Sequence, residues 1–117
     1  MRQRDRRPLS SRLKRRLDII RPTETKTGGG GYTTALVPVA SAVPAEIISL
    51  TGSEAVKDRV LRGIRVYRIT IRWRADVGQK DQISFGAERV NIRSAVDPDG
   101  SRRELVIHAD TEGVEPA

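Results

Sequence analysis

The clearest pattern along the chain is the alternation in Arg65-Val66-Tyr67-Arg68-Ile69-Thr70-Ile71-Arg72-Trp73-Arg74. Tyr67, Ile69, Ile71 and Trp73 are apolar, whereas Arg68, Thr70, Arg72 and Arg74 are polar. Successive side chains of a strand point to opposite faces, so a period of two predicts one buried and one wet face. β-branched and aromatic residues at the apolar positions suit such a half-buried surface. This stretch is the predicted central strand.

The same test places other elements around it. Leu17 and Ile19 alternate within Arg16–Arg21, a first strand that Pro22 is expected to close. Before it, Leu9, Leu13 and Leu17 are spaced to share one helical face, with Pro8 as the first helical residue. A basic tail running straight into the first strand is the other reading. Thr23–Gly31 reads as a floppy loop ending in four glycines. It lacks the Gly-Lys-Ser/Thr ending of a phosphate-binding P-loop. Tyr32–Val43 is β-prone but interrupted by Pro38, with Pro44 just beyond, which predicts an edge or bent strand. Ala45–Leu50 can continue it.

Thr51-Gly52-Ser53-Glu54 fits a capping box with Thr51 at the cap. Ala55–Arg62 can follow as two helical turns, Val56 and Val60 on one side, with Gly63 as the stop. So short a helix is marginal without packing, and a mobile loop is the alternative. Further on, Ile83 and Phe85, then Val90 and Ile92, then Leu105, Ile107 and Ala109 alternate with polar neighbours. Asp76–Asp81, Gly86-Ala87-Glu88 and Asp97-Pro98-Asp99-Gly100 read as turns. The strands from residue 65 onward are expected to form a four-stranded antiparallel meander. Six short strands and one brief helix indicate an all-β fold, a small barrel or sandwich.

Charge changes this picture at one end only. The net charge is +7. Residues 1–16 hold eight basic side chains (Arg2, Arg4, Arg6, Arg7, Arg12, Lys14, Arg15, Arg16) against Asp5 alone, and the rest of the chain holds fourteen of each sign. The body is therefore neutral and the excess sits in a basic arm, which argues for an ordinary domain with a tail rather than a basic nucleic-acid-binding fold. The 117 residues suit one domain, and aromatic residues are few, so small aliphatics must fill the core and subunit contacts would help. With no apolar segment behind the charged N-terminus and no long apolar run, neither a signal peptide nor a membrane span is expected.

Candidate chemistry is sparse. Cysteine is absent and His108 is the sole histidine, so neither disulfides nor a Cys/His zinc site can be built. His108 falls on the outer parity of its strand. Asp97 and Asp99 are explained as turn formers. No nucleophile, base and orienting group converge, so no catalysis and no cofactor is expected. Arg68, Arg72 and Arg74 make a basic stripe on the outer strand face, extended by Arg93. It reads either as a surface for phosphate or carboxylates, or as a solvated face paired across the sheet. No aromatics interleave with it, which disfavours base stacking.

In this order the elements resemble the head-closure (head-tail joining, stopper) proteins of tailed phages and gene transfer agents. The resemblance is carried by Leu13-Lys14-Arg15-Arg16-Leu17-Asp18-Ile19-Ile20-Arg21-Pro22, by Gly28–Gly31 with Tyr32, and by Leu50-Thr51-Gly52-Ser53-Glu54. It continues through Tyr67–Arg74, Ile83-Ser84-Phe85-Gly86, Val90-Asn91-Ile92 and Arg102-Arg103-Glu104-Leu105. Ala35-Leu36-Val37 stands where the family usually has a tryptophan in its second strand. The resemblance implies a small antiparallel six-stranded β-barrel over residues 13–109, with a basic arm at 1–12 and an acidic tail at 110–117. It implies a non-enzymatic virion protein that forms a ring, typically a dodecamer, at the head-tail interface. Its partners would be a portal or adaptor above, a tail terminator or tube protein below, and packaged double-stranded DNA, with no membrane. Before assembly it would be in the host cytoplasm. The loop between the second and third strands, about Ala45–Gly63, would face the channel, with Thr51, Gly52, Ser53, Glu54, Lys57, Arg59 and Arg62 as its candidate residues. The basic arm would meet the portal or DNA, and the basic strand face a neighbouring subunit or DNA. The competing reading is a small β-barrel that binds nucleic acid through the basic arm.

Overall fold

A computed structural model describes residues 7–114, leaving the side chains of residues 54 and 55 aside. The elements run α1 (Leu9–Arg12), β1 (Arg15–Lys26), β2 (Tyr32–Leu50), α2 (Glu54–Leu61), β3 (Val66–Arg72), β4 (Gln82–Phe85), β5 (Glu88–Val96) and β6 (Glu104–Asp110). The six strands close into an antiparallel ring in the order β1-β2-β3-β6-β5-β4. The all-β barrel is thus the architecture of the chain, and the predicted central strand lies between β2 and β6.

Alternation builds the core. Leu17, Ile19, Ala45, Ile69, Ile71, Ile83, Val90, Ile92 and Ile107 point inward and are almost wholly buried. Tyr67 and Phe85 meet edge to face, centroids 5.2 Å apart, and Trp73 packs on the core from beyond the end of β3.

Three expectations are corrected and one is met. The C-terminal strands are not a four-stranded meander: β3 pairs with β6, and only β4-β5-β6 follow one another. The ring closes through β4, which pairs with β1, and not through a last strand returning to the first. Pro22 does not end β1, which continues to Lys26 opposite Tyr32. β4 flanks β1 only at Asp18–Ile20, so proline's missing N–H is tolerated where one side of the strand has no ladder. Residues 23–26 are accordingly strand rather than loop, and the connection shrinks to Thr27–Gly31, where Gly30 takes φ +84°. Tyr32–Leu50 is one bent strand, as the prolines suggested, and Ala45–Leu50 does continue it. Its bend is a bulge opposite Leu17–Ile20, where Ala42 adopts φ +54° and donates its N–H to Asp18 Oδ1 at 2.9 Å.

The short N-terminal helix does form, with Pro8 as its cap residue and Leu9 as the first helical residue. Leu9 and Leu13 are buried, whereas Leu17 belongs to β1.

Candidate functional site

The β2–β3 connection is built on α2. Ser53, not Thr51, caps it: Ser53 Oγ accepts from Val56 N–H at 3.2 Å. At the other end Gly63 takes φ +83°, Gly63 N–H donates to Val60 O and Ile64 N–H to Arg59 O, both at 3.0 Å. These are the two bonds of a Schellman stop, which only a residue tolerant of positive φ completes easily. The connection is therefore a helix closed at both ends. It also starts later than expected, because Ala45–Leu50 pairs with β3 as strand.

Arg59 anchors this helix to the barrel. Its guanidinium bonds Asp110 and, at 3.2 Å, Glu112. Asp110 is only 1% exposed and is also gripped by Arg93 from β5, with Nη2 at 2.9 Å and Nε at 3.1 Å. The Glu112 N–H adds a third donor at 3.0 Å. Burial is the largest single influence on this carboxyl and pushes its pKa up. The hydrogen bonds from Arg93, Arg59 and the Glu112 amide together outweigh it, holding the group below the ordinary carboxylate range. Asp110 and Val66 are cross-strand partners of outer parity, and both are buried. Thus α2 folds over the outer face of its own barrel. Of the remaining connection residues, Thr51, Gly52, Lys57 and Arg62 are exposed, and Arg62 makes a surface ion pair with Asp58 at 3.4 Å. Glu54 opens the helix.

The basic strand face is not a continuous stripe. Thr70, between Arg68 and Arg72, is buried. Its outer-face neighbours are Glu46 on β2 and Val106 on β6. Arg12 spans this patch, bonding Glu46 at 3.0 Å and Glu104 at 3.6 Å, so α1 lies across it. Arg74 lies past the end of β3 and pairs with Asp76 at 2.9 Å, which lowers the Asp76 pKa. Arg93 is committed to Asp110. Arg68 and Arg72 remain on the outer face, separated by the covered patch.

The arm divides in the same way. Arg2, Arg4 and Arg6 lie outside the described residues. Arg7 reaches Glu46 at 3.4 Å and Arg12 is a tether. Arg15 stacks over Phe85, 5.4 Å from the ring centroid, and Lys14 and Arg16 are exposed.

Four carboxylates that organise these surfaces escaped the sequence reading as partners: Glu46, Asp81, Glu104 and Asp110. Asp81 is buried and binds Arg21 at 2.7 Å and the Gly78 N–H at 3.0 Å, fixing the β3–β4 connection against β1. For Asp110 a signal existed. It continues the even parity of Glu104, Val106 and His108, which places it on the last strand rather than in an acidic tail.

Beyond the barrel, Arg21–Lys26 and Tyr32–Val37 continue as a two-stranded wing. Tyr32 is 70% exposed, Leu36 45% and Val37 44%. The remaining large exposed apolar groups among the described residues include Val60 and Leu61 on α2, Leu61 at 87%.

Comparisons with known proteins agree with this architecture. The family described as phage head completion protein matches residues 9–113. We found no match among curated proteins. The solution structure of protein SF1141 from Shigella flexneri 2a is similar with a TM-score of 0.65 at 20% identity, covering 89% of this chain and 96% of that one. A chain in the virion of a native gene transfer agent particle is similar with a TM-score of 0.60 at 18% identity, again covering 89% and 96%.

Proposed function

The chain belongs to the phage head completion proteins, a structural family rather than an enzyme family, and from that premise we propose that it is a head-closure ring subunit. In this reading copies assemble below the portal of a tailed phage or gene transfer agent, retain packaged DNA and offer the tail a docking surface. The observation that carries it is the family match over nearly the whole described barrel. The similar fold found in a gene transfer agent virion supports it.

The geometry suits a part that bears load. A closed barrel has few open edges, and its outer face is braced by α1 through Arg12 and by α2 through Arg59. The β2–β3 connection can approach a channel with the exposed Thr51, Gly52, Lys57 and Arg62, while Arg59 holds its base. Reading the chain as a monomeric nucleic-acid binder leaves these braces unexplained, and it uses an arm in which Arg7 and Arg12 are engaged with Glu46.

The test is to remove the chain from the particle that encodes it and image the products. Heads that package DNA but lose it or fail to join tails, and recover with the added chain, are expected. Full, tailed particles formed without it would overturn the proposal.

A further inference from the structure

The wing leaves two strand edges open. β4 flanks β1 only at Asp18–Ile20, and β3 flanks β2 only from Ala45 onward. Pro22–Lys26 and Tyr32–Leu36 therefore pair with each other and, among the described residues, with no other strand. Open edges are normally blunted by charge, proline or a bulge, because unpaired N–H and C=O groups template pairing with another chain. Between Tyr32 and Val37 the β2 edge has none of these: no charged residue, no proline, and the nearest bulge lies at Ala42. Its Tyr32, Leu36 and Val37 are exposed instead. A two-stranded ribbon without a core is marginal in water, so a strand added to it gains hydrogen bonds and apolar cover together.

We propose that in the assembled ring the β2 edge Tyr32–Val37 of one copy pairs with the β1 edge Pro22–Lys26 of the next, joining the wings into a continuous belt. The inference rests on the ring reading above. Symmetry fits this pairing. Rotation about an axis along the ribbon gives the neighbour's β1 the direction of β1 itself, hence antiparallel to β2. Each contact then repeats the β1–β2 arrangement within a copy, and a head-to-tail contact of this kind closes when the rotation closes. Glu24 and Lys26 of one copy then face an uncharged edge. Pairing β1 with β1 or β2 with β2 would be a two-fold contact that closes as a dimer, whereas β2 with β1 runs head to tail around a ring. Both ribbon faces carry polar groups, Thr23, Thr25 and Thr33 on one, Glu24, Lys26 and Thr34 on the other, as a wall with water on both sides requires.

The experiment uses the full chain, alone and on tail-less heads of its particle, with ring content read by native mass spectrometry and sedimentation. The double variant Thr33→Lys, Ala35→Lys, which charges the edge opposite Thr25 and Thr23 rather than Glu24, is expected to melt as the wild type does and to lose the ring. Val96→Lys, at an exposed apolar site on the barrel, is expected to keep it. Hydrogen exchange on the wild type gives an independent reading: alternate amides between Tyr32 and Val37 should slow on passing from monomer to ring. Rings that persist in the double variant, or form without slowing those amides, overturn the edge pairing and leave the ring reading standing. Slowing seen on heads but not in free rings assigns the edge to another protein and also overturns it. A wild-type chain that forms no ring in either setting overturns the ring reading itself.

Discussion

Strands β1 and β2 each live two lives. In the barrel, Leu17, Ile19, Val43 and Ala45 are buried, and Asp18 satisfies the strained bulge at Ala42. A few residues on, the same two strands carry exposed side chains from Thr23 to Thr25 and from Tyr32 to Val37. The β1–β2 ladder itself continues from the barrel into the wing, unbroken from Pro38 to Tyr32, but there no third strand flanks it. The difference lies in what covers the faces. The barrel half has a core inside and helices outside, so its inward-facing apolar groups are removed from water. The wing half has neither. Strand pairing therefore holds the wing's shape, while the barrel supplies the stability. The chain's folding and its assembly are then separable properties.

The strongest way to break that division is to cut the barrel core. Ile69 is fully buried at the centre of β3. Ile69→Ala is expected to cost about 2–5 kcal/mol of monomer stability, the range for removing a large aliphatic from a packed core. Urea unfolding checks it. A loss below about 1 kcal/mol would mean that the barrel is not the cooperative unit.

A second, smaller effect comes from the buried carboxylate under α2. Asp110→Ala strands Arg59 and Arg93, but both are partly solvated, so the expected cost is about 2 kcal/mol rather than the larger value for a fully enclosed pair. Its acid dependence has a definite sign. The folded carboxyl titrates below its unfolded value, so its contribution is complete above the unfolded pKa and disappears as pH falls through the depressed folded value. Wild type and Asp110→Ala should accordingly converge in stability as pH falls below the ordinary carboxylate range. Denaturant melts at a series of pH values measure this, and hydrogen exchange in α2 should rise in the variant at neutral pH.

How much of this was legible in the sequence follows from how local each cause is. The β3 alternation, the Asp97–Gly100 turn and the helix near residue 55 are set by neighbours within a few positions. Asp97 indeed accepts from Gly100 N–H at 3.1 Å and from Arg102 N–H at 2.7 Å. The pairing of β3 with β6 is not local, because period and turn signals cannot say which strand lies beside which. The same holds for the carboxylate anchors. Arg21 meets Asp81 across 60 positions and Arg59 meets Asp110 across 51. The arginine-rich strand face therefore stayed open between a binding surface and a paired face: Arg93 has its acid 17 positions away, whereas the partner of Arg74, Asp76, lies only two residues on. The wing was missed for a different reason: proline and glycine marked its ends as loop, while the ladder between them had no burial pattern to betray it.

The smallest expected effect is the most discriminating. Leu36→Ala removes a side chain of the same size class as Ile69→Ala removes, from a strand that is regularly paired with β1 but buried on neither face. If burial rather than pairing sets the cost, monomer stability should change by no more than about 0.5 kcal/mol, as at ordinary exposed sites. The measurement is a urea midpoint at a concentration where the chain is monomeric, compared with Ile69→Ala under the same conditions. A loss comparable to the core variant would show that the wing is packed in the monomer, and the two halves of β1 and β2 would then be one structure rather than two.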